Sequence, residues 1–150
     1  MLLVPDRASA ASFLERAIAA LRTLGIAAEI VEQTPDVAVP GPIDLRAIGV
    51  LIDVHGDLSG LTWQFPLAVT QHAANVMAPE LALDPGILEA TASELANMLT
   101  GRGLDALADH GIQVDLALPR ITDSSEAGVT GQLATTHGVI VVIFHRATAE

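Results

Sequence analysis

The sequence predicts an α+β fold, a mostly antiparallel sheet packed by two or three helices, within a single domain over residues 1–150. Three observations carry this prediction. Ile48 to His55 and Leu61 to Phe65 are apolar, β-rich runs separated by the turn residues Gly56-Asp57-Leu58-Ser59-Gly60, a hairpin and hence a pair of antiparallel neighbours. Val129 to Thr135 and Val139 to Phe144 repeat the arrangement around Thr136-His137-Gly138. Between and before these strands lie segments whose apolar residues recur at helical spacing.

The elements follow in order. From about Ala10 to Leu24, Phe13, Ala17, Leu21 and Leu24 share one helix face, with Ser12 and Glu15 as a capping box and Gly25 as the stop. Ile26 to Val31 reads as a short strand, and Thr34-Pro35 to Pro42, with three prolines and a glycine, reads as a loop. After the first hairpin, Pro66 sits at the first turn of a helix in which Val69, Ala73 and Val76/Met77 keep the period, and Ala78 to Leu83 connects onward.

Asp84-Pro85 is an N-cap followed by proline at the first helical position. The helix it opens separates its faces: Leu88, Ala92, Leu95 and Leu99 form an apolar stripe, and Ala90, Glu94, Asn97 and Gly101 line up opposite. Beyond Gly101 the register fails, because Arg102 falls on the stripe and Leu104 and Leu107 fall off it. A kink near Gly101-Arg102-Gly103 is therefore expected, with a last helical piece to about Asp109. Ile112, Val114, Leu116 and Leu118 then alternate with Gln113, Asp115 and Ala117 as a half-buried strand ending at Pro119, and Thr122 to Gly128 is a polar loop.

Composition excludes several chemistries. The chain has no cysteine, which removes disulfides, thiolate nucleophiles and cysteine-held metals. Its seven basic residues are all arginine, so Schiff-base lysines and P-loops are absent. A net charge of −11 without a basic stripe opposes nucleic acid as a partner. No apolar run reaches membrane-span length, and Pro5 and Asp6 break the N-terminal apolar stretch before a signal sequence can form, so the expected compartment is the cytoplasm.

Few residues remain as candidates. No Gly-x-Ser-x-Gly elbow occurs. The five histidines show no metal-ligand spacing, although His55 and His137 meet if their hairpins are neighbours. Asp53 and Asp57 lack the other ligands of a calcium loop and read as turn residues. What is left is the polar face of the helix after Asp84. Glu94 and Asn97, three residues apart, project together, and Ala90 and Gly101 keep the surface around them low.

Ser93-Glu94-Leu95-Ala96-Asn97-Met98, then Gly101 and a later strand proline, resembles the signature of the CheC/CheX class of chemotaxis phosphatases. The succession of a Gly-Asp-Leu-x-Gly hairpin, a helix at Ala68 to Met77, the Glu-x-x-Asn helix, the Pro119 strand and a closing hairpin is similar to the CheX branch from about Ala47 onward. Residues 1–45 are then a divergent N-terminal helix and loop. The family commonly shows an acidic or hydroxyl residue where this chain has Ala90, and the interval from Asn97 to Pro119 is about one residue short.

The resemblance implies a phosphatase for the aspartyl phosphate of a CheY-like response regulator, with Glu94 and Asn97 catalytic and Ala90, Gly101 and Pro119 at the partner surface. It implies no cofactor or metal of the chain's own, since magnesium is expected on the regulator, and it implies a homodimer. A carboxamide at Asn97 suits a loose phosphoryl transition state, which needs an in-line water held in place more than it needs a base. Glu94 would pair with the regulator's lysine and fix the docking. The alternative is a non-catalytic CheX-like module that binds a regulator or signalling partner through the same surface.

Overall fold

The structure, a computed structural model, describes residues 5–31, 36–38, 40–44, 46–81 and 84–146. The chain runs α1 (Arg7–Arg22), β1 (Ala28–Ile30), β2 (Asp36–Ala38), β3 (Gly41–Pro42), β4 (Ala47–Gly56), β5 (Leu58–Pro66), α2 (Leu67–Met77), a 3₁₀ turn (Pro79–Leu81), α3 (Pro85–Asp109), β6 (Val114–Thr122), β7 (Ser124–Ser125), β8 (Gly128–Thr135) and β9 (Gly138–Arg146). The main sheet has the order β1-β8-β9-β5-β4-β6, β2 also pairs with β8, and β3 pairs with β7 in a small second sheet. Every pair is antiparallel. The fold is therefore α+β, as expected from the two hairpins. Among the described residues no helix is long and apolar enough to cross a membrane.

Strand alternation gives the sheet one strongly apolar face. Val50, Ile52 and Val54 of β4, Leu61, Trp63 and Phe65 of β5, Leu133 of β8, and Ile140, Val142 and Phe144 of β9 are all buried in one cluster. The helices cover this face. Phe13 of α1 stacks on Trp63 at 5.9 Å between ring centroids and meets Phe144 edge-on at 4.9 Å, while Trp63 stacks on Phe65 at 5.6 Å. Every aromatic residue of the chain, one Trp and three Phe, is thus in this cluster.

The first helix begins earlier than expected. Asp6, not Ser12, is its N-cap: the carboxylate accepts from the Ser9 backbone N–H at 2.9 Å, and Ser12 Oγ instead meets His110 Nε2 at 3.0 Å. The predicted stop at Gly25 holds. Gly25 has φ +74°, its N–H reaches Arg22 O, and the Ile26 N–H reaches Leu21 O, a Schellman closure that α3 repeats at Gly111 and Ile112.

The kink or restart expected near Gly101-Arg102-Gly103 does not interrupt α3, and the helix is continuous from Pro85 to Asp109. The register changes because the burying partner changes. Along the second half α1 packs alongside, and Gly103, Leu104, Ala106 and Leu107 turn inward while Arg102 stays exposed. Gly103 permits the approach, since a Cβ there would overlap the Phe13 ring at Cε2.

The last expectations corrected concern short or irregular strands. β6 runs through Pro119 to Thr122, and it tolerates the proline because it is an edge strand. Ile52 pairs with Pro119 but Val54 pairs with Leu116, so β6 carries one extra residue, and this bulge breaks the expected alternation. Leu116, opposite Val54, is 43% exposed, and Leu118, within the bulged stretch, is 85% exposed instead of half-buried. Asp36–Ala38 and Gly41–Pro42, expected in a loop, are strands, as is Ser124–Ser125. Thr34, Pro35, Ala82 and Leu83 lie outside the described residues.

Candidate functional site: the exposed face of α3

Three devices set the rotation of α3. Asp84 caps it by accepting from the Gly86 N–H at 2.9 Å. Leu95, Ala96 and Leu99 are fully buried against the core. The indole N–H of Trp63 donates to Thr100 Oγ1 at 2.8 Å, pinning the middle of the helix to the central strand β5.

With that stripe inward, the opposite side faces out. Ala90 and Glu94 are exposed, and Asn97 and Gly101 are half-buried. The structure thus brings together the four helix residues singled out by the sequence. Among the described residues, neither the Glu94 nor the Asn97 side chain makes a hydrogen bond or ion pair, so the polar atoms of both are unengaged there. The space above Gly101 is open, with no atom within 4 Å of a Cβ built there. Pro119 lies apart on β6. It stands opposite Ile52, hence on the helix-facing side of the sheet, and β6 packs against α3.

Other polar residues have structural roles. Asp57 Oδ2 accepts from the Gln113 N–H at 2.9 Å, and the Asp57 N–H reaches Gln113 O at 3.0 Å, so the tip of the β4–β5 hairpin is tied to the start of β6. Gly56 is required there, because at φ +132° a Cβ would overlap Gln113 O. Asp53 is not a turn residue. It lies within β4 and pairs with Arg120 at 3.3 Å, both side chains more than half exposed.

His55 and His137 do not meet, because β4 and β8 are not adjacent. His137 instead lies against His72 of α2, with ring centroids 4.9 Å apart. His72 Nε2 donates to Leu24 O at 3.1 Å. No signal in the sequence pairs these two, since they come together only through tertiary packing. Among the described residues no group of three or more ligands is placed to hold a metal.

A cleft of about 320 Å³ on the sheet face away from the helices includes Asp53, Ser59, Thr62, Arg120 and His145. His145 is buried, and its polar atoms are satisfied. Nδ1 donates to Ala127 O at 3.0 Å, and Nε2 shares a 2.7 Å hydrogen bond with the Thr62 hydroxyl. His145 closes a hydrogen-bond chain, consistent with a structural role.

No family model matches the sequence, and no curated protein matches it. Solved structures do. A chemotaxis protein CheX from Desulfovibrio desulfuricans is 17% identical over 93% of this chain and 99% of its own, with TM-score 0.69. CheX from Vibrio vulnificus is 18% identical over 89% and 92%, with TM-score 0.68. A CheX–CheY–BeF₃–Mg²⁺ complex from Borrelia burgdorferi gives 16% identity over 90% and 96%, with TM-score 0.56. The chain has the fold of the CheX and CheC-like chemotaxis proteins.

Proposed function

We propose that this chain is a CheX-like member of the CheC/CheX family, a phosphatase for the aspartyl phosphate of a CheY-like response regulator. The observation that carries the reading is the joint presentation of Glu94 and Asn97, without hydrogen-bond or ion-pair partners among the described residues, on the outer face of a helix pinned by Trp63 and Thr100. The fold supports it, and one protein of that fold is described in complex with CheY, BeF₃ and Mg²⁺.

A regulator brings its own phospho-aspartate, magnesium and lysine. The chemistry left to the partner is placement of a water in line with phosphorus. Asn97 has an acceptor for the water's hydrogen and two donors for phosphoryl oxygens. Glu94, one turn earlier, pairs with the regulator's lysine and so aims Asn97. Ala90, Gly101 and Pro119 let the regulator's surface approach. The reading includes a homodimer, supported by the outer edge of β6, which carries exposed Leu116 and Leu118 and pairs with no strand among the described residues. It also includes a cytoplasmic location.

The test is phosphate release from a phosphorylated CheY-like regulator, comparing the parent chain with Asn97→Ala and Glu94→Ala. Equal rates in all three would remove the assignment. A second reading, a non-catalytic module that binds the regulator through the same face, is favoured by Ala90, where the family commonly carries an acidic or hydroxyl side chain. A chain that binds phosphorylated regulator and leaves its decay unchanged would establish the second reading over the first.

A further inference from the structure

Under the N-terminal half of α3, where it meets the start of β4 and the end of β6, lies a groove of about 350 Å³. Its apolar lining includes Ile43, Leu67, Leu88 and Ile121. Leu67 is 41% exposed and Ile121 is 42% exposed, so the groove opens large apolar side chains to water. Gly49 helps to form the floor, since a Cβ there would stand 2.9 Å from Ile43 Cγ1.

The rest of the lining is charged with one sign. Asp44, Glu89 and Asp123 line the same groove, are exposed, and are in no salt bridge among the described residues. Asp44 Oδ1 accepts the backbone N–H of Arg46 at 2.8 Å, while Arg46 itself lines a separate depression with Gln64 and Pro66. No arginine lines the groove.

We propose that this groove docks a partner protein through a large apolar side chain flanked by Arg or Lys. The apolar floor gains from exclusion of water, and three uncompensated carboxylates select a cationic flank. A second copy of this chain is a poor occupant, because it carries a net charge of −11 and would bring like charge to the rim. Leu88 belongs to the helix stripe opposite Glu94 and Asn97, so an occupant here leaves that face free. The inference stands independently of the phosphatase reading.

The test uses two short fluorescent peptides, one with two leucines set among arginines and one with serines replacing the leucines. The leucine peptide should bind at least about tenfold more tightly than the serine peptide. Leu67→Asp and Ile121→Asp, at half-exposed positions and checked by circular dichroism, should abolish that preference. Asp44→Asn/Glu89→Gln/Asp123→Asn should weaken leucine-peptide binding by about tenfold and flatten its salt dependence. Equal affinity for the two peptides, or a preference that survives Leu67→Asp, would show only general charge attraction and overturn the proposal. Loss of self-association by Leu67→Asp in sedimentation would assign the groove to a second copy and overturn it as well. Phosphate release from a regulator should be the same for Leu67→Asp and the parent.

Discussion

The indole of Trp63 donates a 2.8 Å hydrogen bond to the Thr100 hydroxyl, and both side chains are fully buried. The contact joins the central strand β5 to α3 one turn beyond Asn97, so it fixes how the candidate face is turned toward a partner.

Breaking that contact from either side should be costly. Thr100→Val keeps the shape and strands a buried N–H, which costs about 1–3 kcal/mol. Trp63→Phe strands the hydroxyl and also opens space, so its loss should be larger. Urea unfolding should show the double variant less destabilised than the sum of the two, because the second change removes a partner already lost.

Asn97→Ala and Glu94→Ala should leave the unfolding midpoint close to that of the parent, since neither side chain has a hydrogen-bond or ion-pair partner among the described residues. Their kinetics should separate. If the proposed phosphatase reading holds, Asn97→Ala should lower kcat for phosphate release by about a hundredfold through loss of water placement. Glu94→Ala should act mainly on KM, because the role proposed for it is docking.

Two glycines two residues apart should respond in opposite ways. Gly103→Ala drives a methyl into the Phe13 ring and should destabilise by about 1–3 kcal/mol or more. Gly101→Ala meets open space and should stabilise the helix by about 1 kcal/mol. If the regulator packs closely over this face, Gly101→Ala should still weaken regulator binding in a titration.

Asp6 gives a pH signature. The Ser9 backbone N–H, and then the Ser9 hydroxyl, hold its carboxyl below the ordinary value of 3.8. A carboxylate with a depressed folded pKa contributes stability that is fully present above the unfolded value and lost as pH falls through the folded one. Asp6→Asn should therefore lower the thermal midpoint at neutral pH. The gap should narrow only once the pH drops below about 3.8, and a gap unchanged at lower pH would remove the assignment.

Much of the candidate face was legible because a long amphipathic helix repeats its pattern. Asp84-Pro85 marks where α3 starts, and Leu88, Ala92, Leu95 and Leu99 show which side is buried, so the side holding Glu94 and Asn97 follows. The continuity of α3 past Gly101 was not legible, because periodicity assumes one burying surface and this helix has two, the sheet and then α1. The bulge in β6 was hidden for a related reason: its alternation is regular in sequence while the strand carries an extra residue against Val54. β2, β3 and β7 have only two or three residues each, too few for any period, and depend on partners far along the chain. The spacing of Ser12 to Glu15 matches a capping box, but Asp6 and Ser9 form the cap six residues before Ser12.

The confinement of all the aromatic residues to one cluster has a spectroscopic consequence. With a single tryptophan and no tyrosine, the intrinsic fluorescence of the chain comes from Trp63 alone, which stacks on Phe13 and on Phe65 and is bonded to α3. Its emission therefore reports how α1, the sheet and α3 are seated against one another. Any partner that reseats α3 would be visible in an unlabelled chain as a change in the colour or lifetime of that one indole.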